Sequence, residues 1–335
     1  MAHDESPGVP FAIPGAPAPA EGWHRLNGCR LYAEVRGAGP PLLIIGAASD
    51  DAEMFRPIAE RLAGAPGVPG FTVVTWDPRG TGRSSRDGWP CDSHTHAEDA
   101  AALLLDLGFA PAAIFGASAG GIVAVRLAVS HPALVRQVLV YEPGFFRSTD
   151  AGAALLDRAT DAVTEHLRDH PDDWSGAVAA VARVAARDPA ASDSSGEDGG
   201  PGPLDAPPEL EWYVDRGATL AENFIRDDVP RTREDVDLVA LRACEADIRF
   251  AFGTGSSSVF REIAETLSRA RHRTANSGTT APDHLNPGLR DPQAPDAIAG
   301  ASHLAYLTPD PIARYIRARC LPERPARSRN AEPVP

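Results

Sequence analysis

Ser118 stands in Gly116-Ala117-Ser118-Ala119-Gly120, between the short apolar run Ala112–Phe115 and Gly121–Ser130, where apolar residues recur at helical spacing. Strand, serine, helix is the order in which a turn can lift a serine hydroxyl clear of the backbone for nucleophilic attack. The small residues at 116, 117, 119, 120 and 121 permit a sharp turn. A helix starting there also aims backbone N–H groups at negative charge developing on the same spot. An ordinary turn serine in a Gly- and Ala-rich chain is the plain alternative; the flanks favour the nucleophile.

A serine hydroxyl needs a base within hydrogen-bond reach, and histidine titrates close to ambient pH. Among the ten histidines, His24 falls on a first strand, His131 precedes Pro132 at a helix end, and His166 and His170 lie in a helical region. His94 and His96 are two apart and do not share a helix face, so with Asp99 they read as a solvated helix start capped by Ser93 rather than a metal site. His272 sits among arginines and His284 in a Pro-rich stretch. His303, which follows a short apolar strand and the Gly300 turn and precedes the last helical stretch, remains as a candidate; a surface-turn histidine is its alternative. Glu142 ends the apolar strand Val138–Tyr141, precedes Pro143-Gly144, and lies 24 residues past Ser118. Neighbouring parallel strands finish at one edge, which would bring Glu142 beside Ser118. There it could orient the imidazole and stabilise its charged form, or simply be solvated.

The elements that must hold these residues alternate. Trp23–Asn27 and Arg30–Arg36 flank Asn27-Gly28, a hairpin turn. Leu42–Ile45 is a doubly covered strand, Ala52–Leu62 a helix, Phe71–Trp76 a strand, His94–Leu107 a helix and Gln137–Tyr141 a strand. This βαβ rhythm implies a parallel sheet with helices on both sides. It stops between Phe145 and about Ala246, where only helical stretches are read: Ala153–Arg168, Trp174–Ala186, Glu209–Ile225 and Glu234–Cys244. It resumes with the strand Ile248–Phe252, the helix Val259–Ala270, the strand Ala297–Ala299 and the helix Asp310–Cys320. Asp188–Pro208 reads as a mobile loop, 271–296 as an irregular insertion, 1–21 as a disordered start and 321–335 as a polar tail.

Composition excludes some partners. A formal charge of −14 disfavours nucleic acid and anionic membrane surfaces, and every basic residue is arginine. No apolar run approaches the ~18 residues of a membrane helix. The start carries neither a basic segment nor an apolar core of a signal peptide. The four scattered cysteines have no metal-ligand spacing and read as free thiols in a reducing cytoplasm. The expected ligand is a small-molecule substrate, bound without cofactor or metal by a monomer or homodimer.

Residues 23–320 resemble the α/β-hydrolase superfamily with a helical cap inserted after the sixth strand. The resemblance rests on the Ser118 elbow, on Asp77-Pro78-Arg79-Gly80-Thr81-Gly82-Arg83-Ser84, and on Gly300-Ala301-Ser302-His303 before the final helix. It implies a core of residues 22–144 and 247–320, a cap of 145–246, and a structural role for the 77–84 loop. It also places the base at His303, in the order serine, acid, histidine. The superfamily most often carries the acid after the seventh strand, where this chain has Gly253-Thr254-Gly255-Ser256-Ser257-Ser258 and no carboxylate before Glu262. Some haloalkane dehalogenases and the zearalenone lactonases place a glutamate after the sixth strand, as Glu142 would be. Ala119 and Ala47 are the expected oxyanion N–H donors, Ala48 being an alternative to Ala47. Phe145, Phe146, Trp174, Trp212 and Tyr213 could wall a substrate pocket, or pack the cap on itself or the core. The expectation is a serine hydrolase of esters, lactones or thioesters working through an acyl-enzyme. Alternatives are a C–C hydrolase, a lyase or cyclase on the same site, or a binding protein.

Overall fold

The computed structural model describes residues 20–48, 50–186, 211–272 and 294–321. The expected disordered start (bar residues 20 and 21), the 188–208 loop, most of the 271–296 insertion and the tail past 321 lie outside the described residues. Strands β1 (Ala20–Leu26), β2 (Cys29–Arg36), β3 (Pro41–Ile45), β4 (Thr72–Asp77), β5 (Ala112–Ala117), β6 (Val135–Tyr141), β7 (Asp247–Gly253) and β8 (Asp296–Ile298) form one sheet. Their order is β1-β2-β4-β3-β5-β6-β7-β8. β2 runs antiparallel to β1 and β4, and all other pairings are parallel. The hairpin between β1 and β2 turns on Asn27 and Gly28, both at positive φ (48° and 73°), as a two-residue turn of matching twist requires.

Successive side chains on a strand face opposite ways, so each central strand feeds two cores. Leu43, Ile45, Ile114, Val138 and Val140 pack with helices α2 (Ser93–Asp106), α3 (Ala119–Ser130) and the later Ser258–His272 helix. Leu42, Ile44, Phe115, Leu139 and Tyr141 pack on the other face with α1 (Arg56–Leu62) and the final Pro309–Cys320 helix. Burial on both faces explains why β3 and β5 read as unbroken apolar runs.

Boundaries shift where side chains cap backbone. α1 begins at Arg56 rather than Ala52, because Asp51 Oδ1 accepts the Glu53 and Met54 N–H groups (both 3.1 Å) and holds that stretch as a turn. α2 is capped by Asp92, which accepts the Thr95 N–H at 2.8 Å, not by Ser93 as expected; the Ser93 hydroxyl donates to Glu234. Between β6 and β7 come α4 (Asp150–Asp169), α5 (Trp174–Ala186), α6 (Glu211–Thr219) and α7 (Leu238–Ala243), with no strand among the described residues. The helix expected at Glu209–Ile225 is interrupted after Thr219, and a π-helical turn follows at Phe224–Asp228. The Ser258–His272 helix is α8 and Pro309–Cys320 is α9.

The loop after β4 is built around one buried carboxylate. Asp77 accepts the Ala52 and Arg83 N–H groups (2.9 and 2.8 Å) and the Arg83 guanidinium (2.8 and 3.0 Å). Burial pushes its carboxyl above the usual range even against that pairing. Removing one partner of such a pair typically costs about 3–5 kcal/mol. Asp77→Ala is therefore expected to lower the urea midpoint by that equivalent at an unchanged slope.

Candidate active site

Ser118 ends β5 and caps α3 with φ 47° and ψ −118°, a conformation that side chains rarely adopt. Backbone bonds hold it there: its N–H donates to Tyr141 O (2.9 Å), and its carbonyl accepts from Gly121 (2.9 Å) and Gly144 (3.0 Å). Close packing explains Gly120: a Cβ there would stand 2.0 Å from the Gly46 carbonyl oxygen, so the start of α3 lies directly on the loop that follows β3.

β6 ends in the same way. Glu142 also has φ 47°, so adjacent parallel strands each finish on a non-glycine residue in the left-handed region. Such conformations cost about 1–3 kcal/mol each and persist where the surroundings fix them. Here the Glu142 N–H donates to Ala251 O at 2.8 Å, and the side chain is fully buried. Oε1 accepts the Gly253 N–H at 2.8 Å and Oε2 accepts from His303 Nδ1 at 2.7 Å. Glu142 and His303 thus meet as the sequence suggested, and Ser118 lies against the Glu142 strand end through Tyr141 and Gly144. The turn after β7 contributes a backbone N–H to the acid in place of a carboxylate of its own.

The His303 imidazole is fixed on three sides. Its ring stacks on Phe260 of α8 (centroids 4.0 Å, planes 13° apart), and Phe260 in turn meets Phe146 edge-on at 5.8 Å. Tyr141 Oη donates to Ser302 O at 2.6 Å, tying the histidine loop to β6. With Nδ1–H on a carboxylate, the tautomer leaves Nε2 as an acceptor, the state a general base needs.

The oxyanion expectations divide. Ala119 N lies at the start of α3, where N–H groups lack intrahelical partners. The Ala47 N–H is already engaged: it donates to Asp50 Oδ2 at 2.9 Å. Beside this loop is a cavity of ≈ 10 Å³, lined among others by Gly46, Ala47, Asp50, His96, Asn223 and Arg231, between the core and the helical segment after β6.

The expected pocket aromatics separate. Phe145 is buried in the sheet core, and Phe146 supports Phe260. Trp174 packs in the helical segment's own apolar cluster with Val163, Ala177 and Ile225, the alternative the sequence had left open. Trp212 and Tyr213 lie on α6, and their side chains fall outside the described residues. The Phe260 contact with His303 was missed, because Phe260 sits at an ordinary apolar helix position.

Cys91, His96 and Asp227 bring ligand-type atoms within 4.8 Å of one another. The donors are already committed: Asp227 accepts from His96 Nε2 (2.9 Å), from the Cys91 N–H (2.8 Å) and from Arg231. Burial pushes the Cys91 thiol up to about 12, away from the thiolate a metal would require. An arginine on the carboxylate and a protonated thiol suit a clasp between core and helical segment, not a cation. Among the described residues no helix is long and apolar enough to cross a membrane.

Residues 40–182 match the family model described as alpha/beta hydrolase fold. Over 123 residues the chain is 33% identical to "Uncharacterized hydrolase YraK" of Bacillus subtilis (strain 168), covering 36% of this chain and 43% of that protein. Over 128 residues it is 29% identical to the 2-(acetamidomethylene)succinate hydrolase of Mesorhizobium japonicum, covering 38% and 44%. The chain therefore spans less than half the length of these curated relatives. Among solved structures it is similar to an esterase from Exiguobacterium antarcticum, with TM-score 0.61 at 16% identity over 88% of this chain and 98% of that one. It is also similar to the enol-lactonase from Burkholderia xenovorans LB400, with TM-score 0.56 at 17% identity over 89% and 98%.

Proposed function

We propose that this chain, which has the α/β-hydrolase fold, is a serine hydrolase that cleaves an ester or lactone of a small hydrophobic molecule through an acyl-enzyme. The observation that carries the reading is the 2.7 Å bond between His303 Nδ1 and Glu142 Oε2, made at the strand end that packs on Ser118. In this reading Ser118 Oγ attacks the carbonyl carbon while its proton passes to His303 Nε2. The carbonyl electron pair moves onto oxygen, next to the Ala119 N–H. The pair then returns, the C–O bond to the leaving group breaks, and the leaving oxygen takes the proton from His303. Water repeats the sequence to release the acid, and Glu142 stabilises the imidazolium in each half.

The helical segment between β6 and β7 acts as the cap that limits substrate size, clasped to the core by Arg216 on Asp51 and by Asp227 on the Cys91 N–H. An acid placed directly after the sixth strand, as in the zearalenone lactonases, inclines the reading towards lactones. Incubation with a fluorophosphonate followed by peptide mass mapping tests the mechanism: a single adduct on Ser118 is expected. A panel of p-nitrophenyl esters and lactones then sets the substrate class. A chain that stays unlabelled and turns over none of them would be a binding protein instead.

A further inference from the structure

The bond to Glu142 fixes one atom of the His303 ring and by itself leaves the ring plane free to swing. The outer side-chain torsion of histidine is broad, and a hydrogen bond tolerates about 30° off line before it weakens. The imidazole is 34% exposed, so solvent sets no stop on its open side. The stop is Phe260, whose ring centroid lies 4.0 Å from that of the imidazole with the planes 13° apart. On α8, Val259, Ile263, Ala264 and Leu267 belong to the core on one face of the sheet. Phe260 is buried too but is not among them; its ring meets the imidazole and the edge of Phe146. Phe146 opens the single helical turn Phe146–Ser148 directly before α4. The start of α4 is seated on that turn: a Cβ at Gly152 would stand 2.3 Å from the Phe146 carbonyl oxygen, and the Gly152 N–H donates to the Thr149 hydroxyl at 3.0 Å. Contacts therefore run without a break from α4 through Phe146 and Phe260 to the imidazole.

We propose that Phe260 is the positioning residue of the base: its ring face sets the plane of the imidazole, and Phe146 links that plane to the seat of α4. The proposal rests on the reading of Ser118 as nucleophile and His303 as base. In that reading Nε2 takes the Ser118 proton, and its direction follows from two restraints, the bond at Nδ1 and the plane of the ring. Leucine at 260 keeps apolar bulk but offers no flat face, so the ring can tilt off the line to the serine. A misplacement of about 1 Å costs on the order of 10² in rate. Phe260 acts through the imidazole, so the loss falls on kcat and not on KM. Phe146 acts through Phe260, so its effect vanishes once the flat face is gone.

Hydrolysis of p-nitrophenyl butyrate and the rate of fluorophosphonate labelling, measured on wild type, Phe260→Leu, Phe260→Tyr, Phe146→Leu and the double leucine variant, test this. Phe260→Leu is expected to lower kcat by about 10–100-fold with KM little changed, and to slow labelling of Ser118 alike. Its downfield Nδ1–H proton resonance should broaden. Phe260→Tyr keeps the ring face and is expected to recover most of the loss. Phe146→Leu should lower kcat by a smaller factor and add nothing in the Phe260→Leu background. A Phe260→Leu enzyme as fast as wild type overturns the positioning role while Ser118 labelling stands. So does a Phe260→Tyr enzyme as slow as Phe260→Leu, which would make the effect one of packing. Losses that multiply in the double variant overturn the link to α4. Should Phe260→Leu fail to fold, Phe260→Met, unbranched and without a flat face, takes its place. A wild type that is neither labelled nor active overturns the nucleophile reading and this proposal with it.

Discussion

Replacing Ser118 by alanine is expected to lower kcat by a factor on the order of 10⁵–10⁶, the scale of nucleophile loss in a unit whose members act together. The fold should barely notice. Ser118 makes no side-chain cap to α3, so alanine removes no helix-capping bond. Alanine also has a Cβ, so the strained φ of 47° is no harder to hold than before. The variant should unfold at the wild-type urea midpoint, or slightly above it, while the fluorophosphonate adduct disappears. Residual turnover within tenfold of wild type would place the chemistry on another residue.

Glu142→Gln is expected to cost about 10⁴ in kcat, with KM nearly unchanged. The size follows from the two bonds of the carboxylate. Gly253 N–H needs an oxygen at Oε1, so the glutamine amide must turn its NH₂ group towards His303. Two donors then face each other unless the imidazole moves its proton to Nε2. In that tautomer the ring cannot accept the serine proton. The isosteric change should also remove the downfield Nδ1–H proton resonance that the wild-type pair should give. Glu142→Ala is the harsher change: it orphans the buried Gly253 N–H as well, and a further loss of about 1–3 kcal/mol in stability is expected. Together the variants separate a tautomer effect from a packing effect.

The sequence made the Glu142–His303 contact and the Ser118 turn legible because each of these residues lies beside a short apolar run at a glycine or proline turn. Ser118, Glu142 and His303 all sit at that kind of punctuation, and a parallel sheet gathers strand ends at one edge. What it concealed depends on which way side chains turn after folding. Trp174 looked like a pocket wall, yet Val163, Ala177 and Ile225 gave it an apolar neighbourhood inside the helical segment. Phe260 was one apolar residue on an amphipathic helix until the His303 ring settled on it. Helix starts were misjudged by four residues at Asp51 and Asp237 and by one at Asp92, where these carboxylates took backbone N–H groups, because hydrophobic period says little about which carboxylate closes a turn. That the Asp50 carboxylate oxygen reaches back three residues to the Ala47 N–H follows only from the path of the loop after β3.

With Glu142 as the proposed acid at the end of β6, the turn that follows β7 takes no direct part in the proposed proton transfer. Gly253 must keep its N–H where it is, since that bond steadies Glu142. The same turn also holds the approach to His303: Thr254 Oγ1 accepts the Gly300 N–H at 3.1 Å, and the Gly255 N–H donates to Ala301 O at 3.0 Å. Changes at 254 or 255 therefore reach the histidine loop through its backbone.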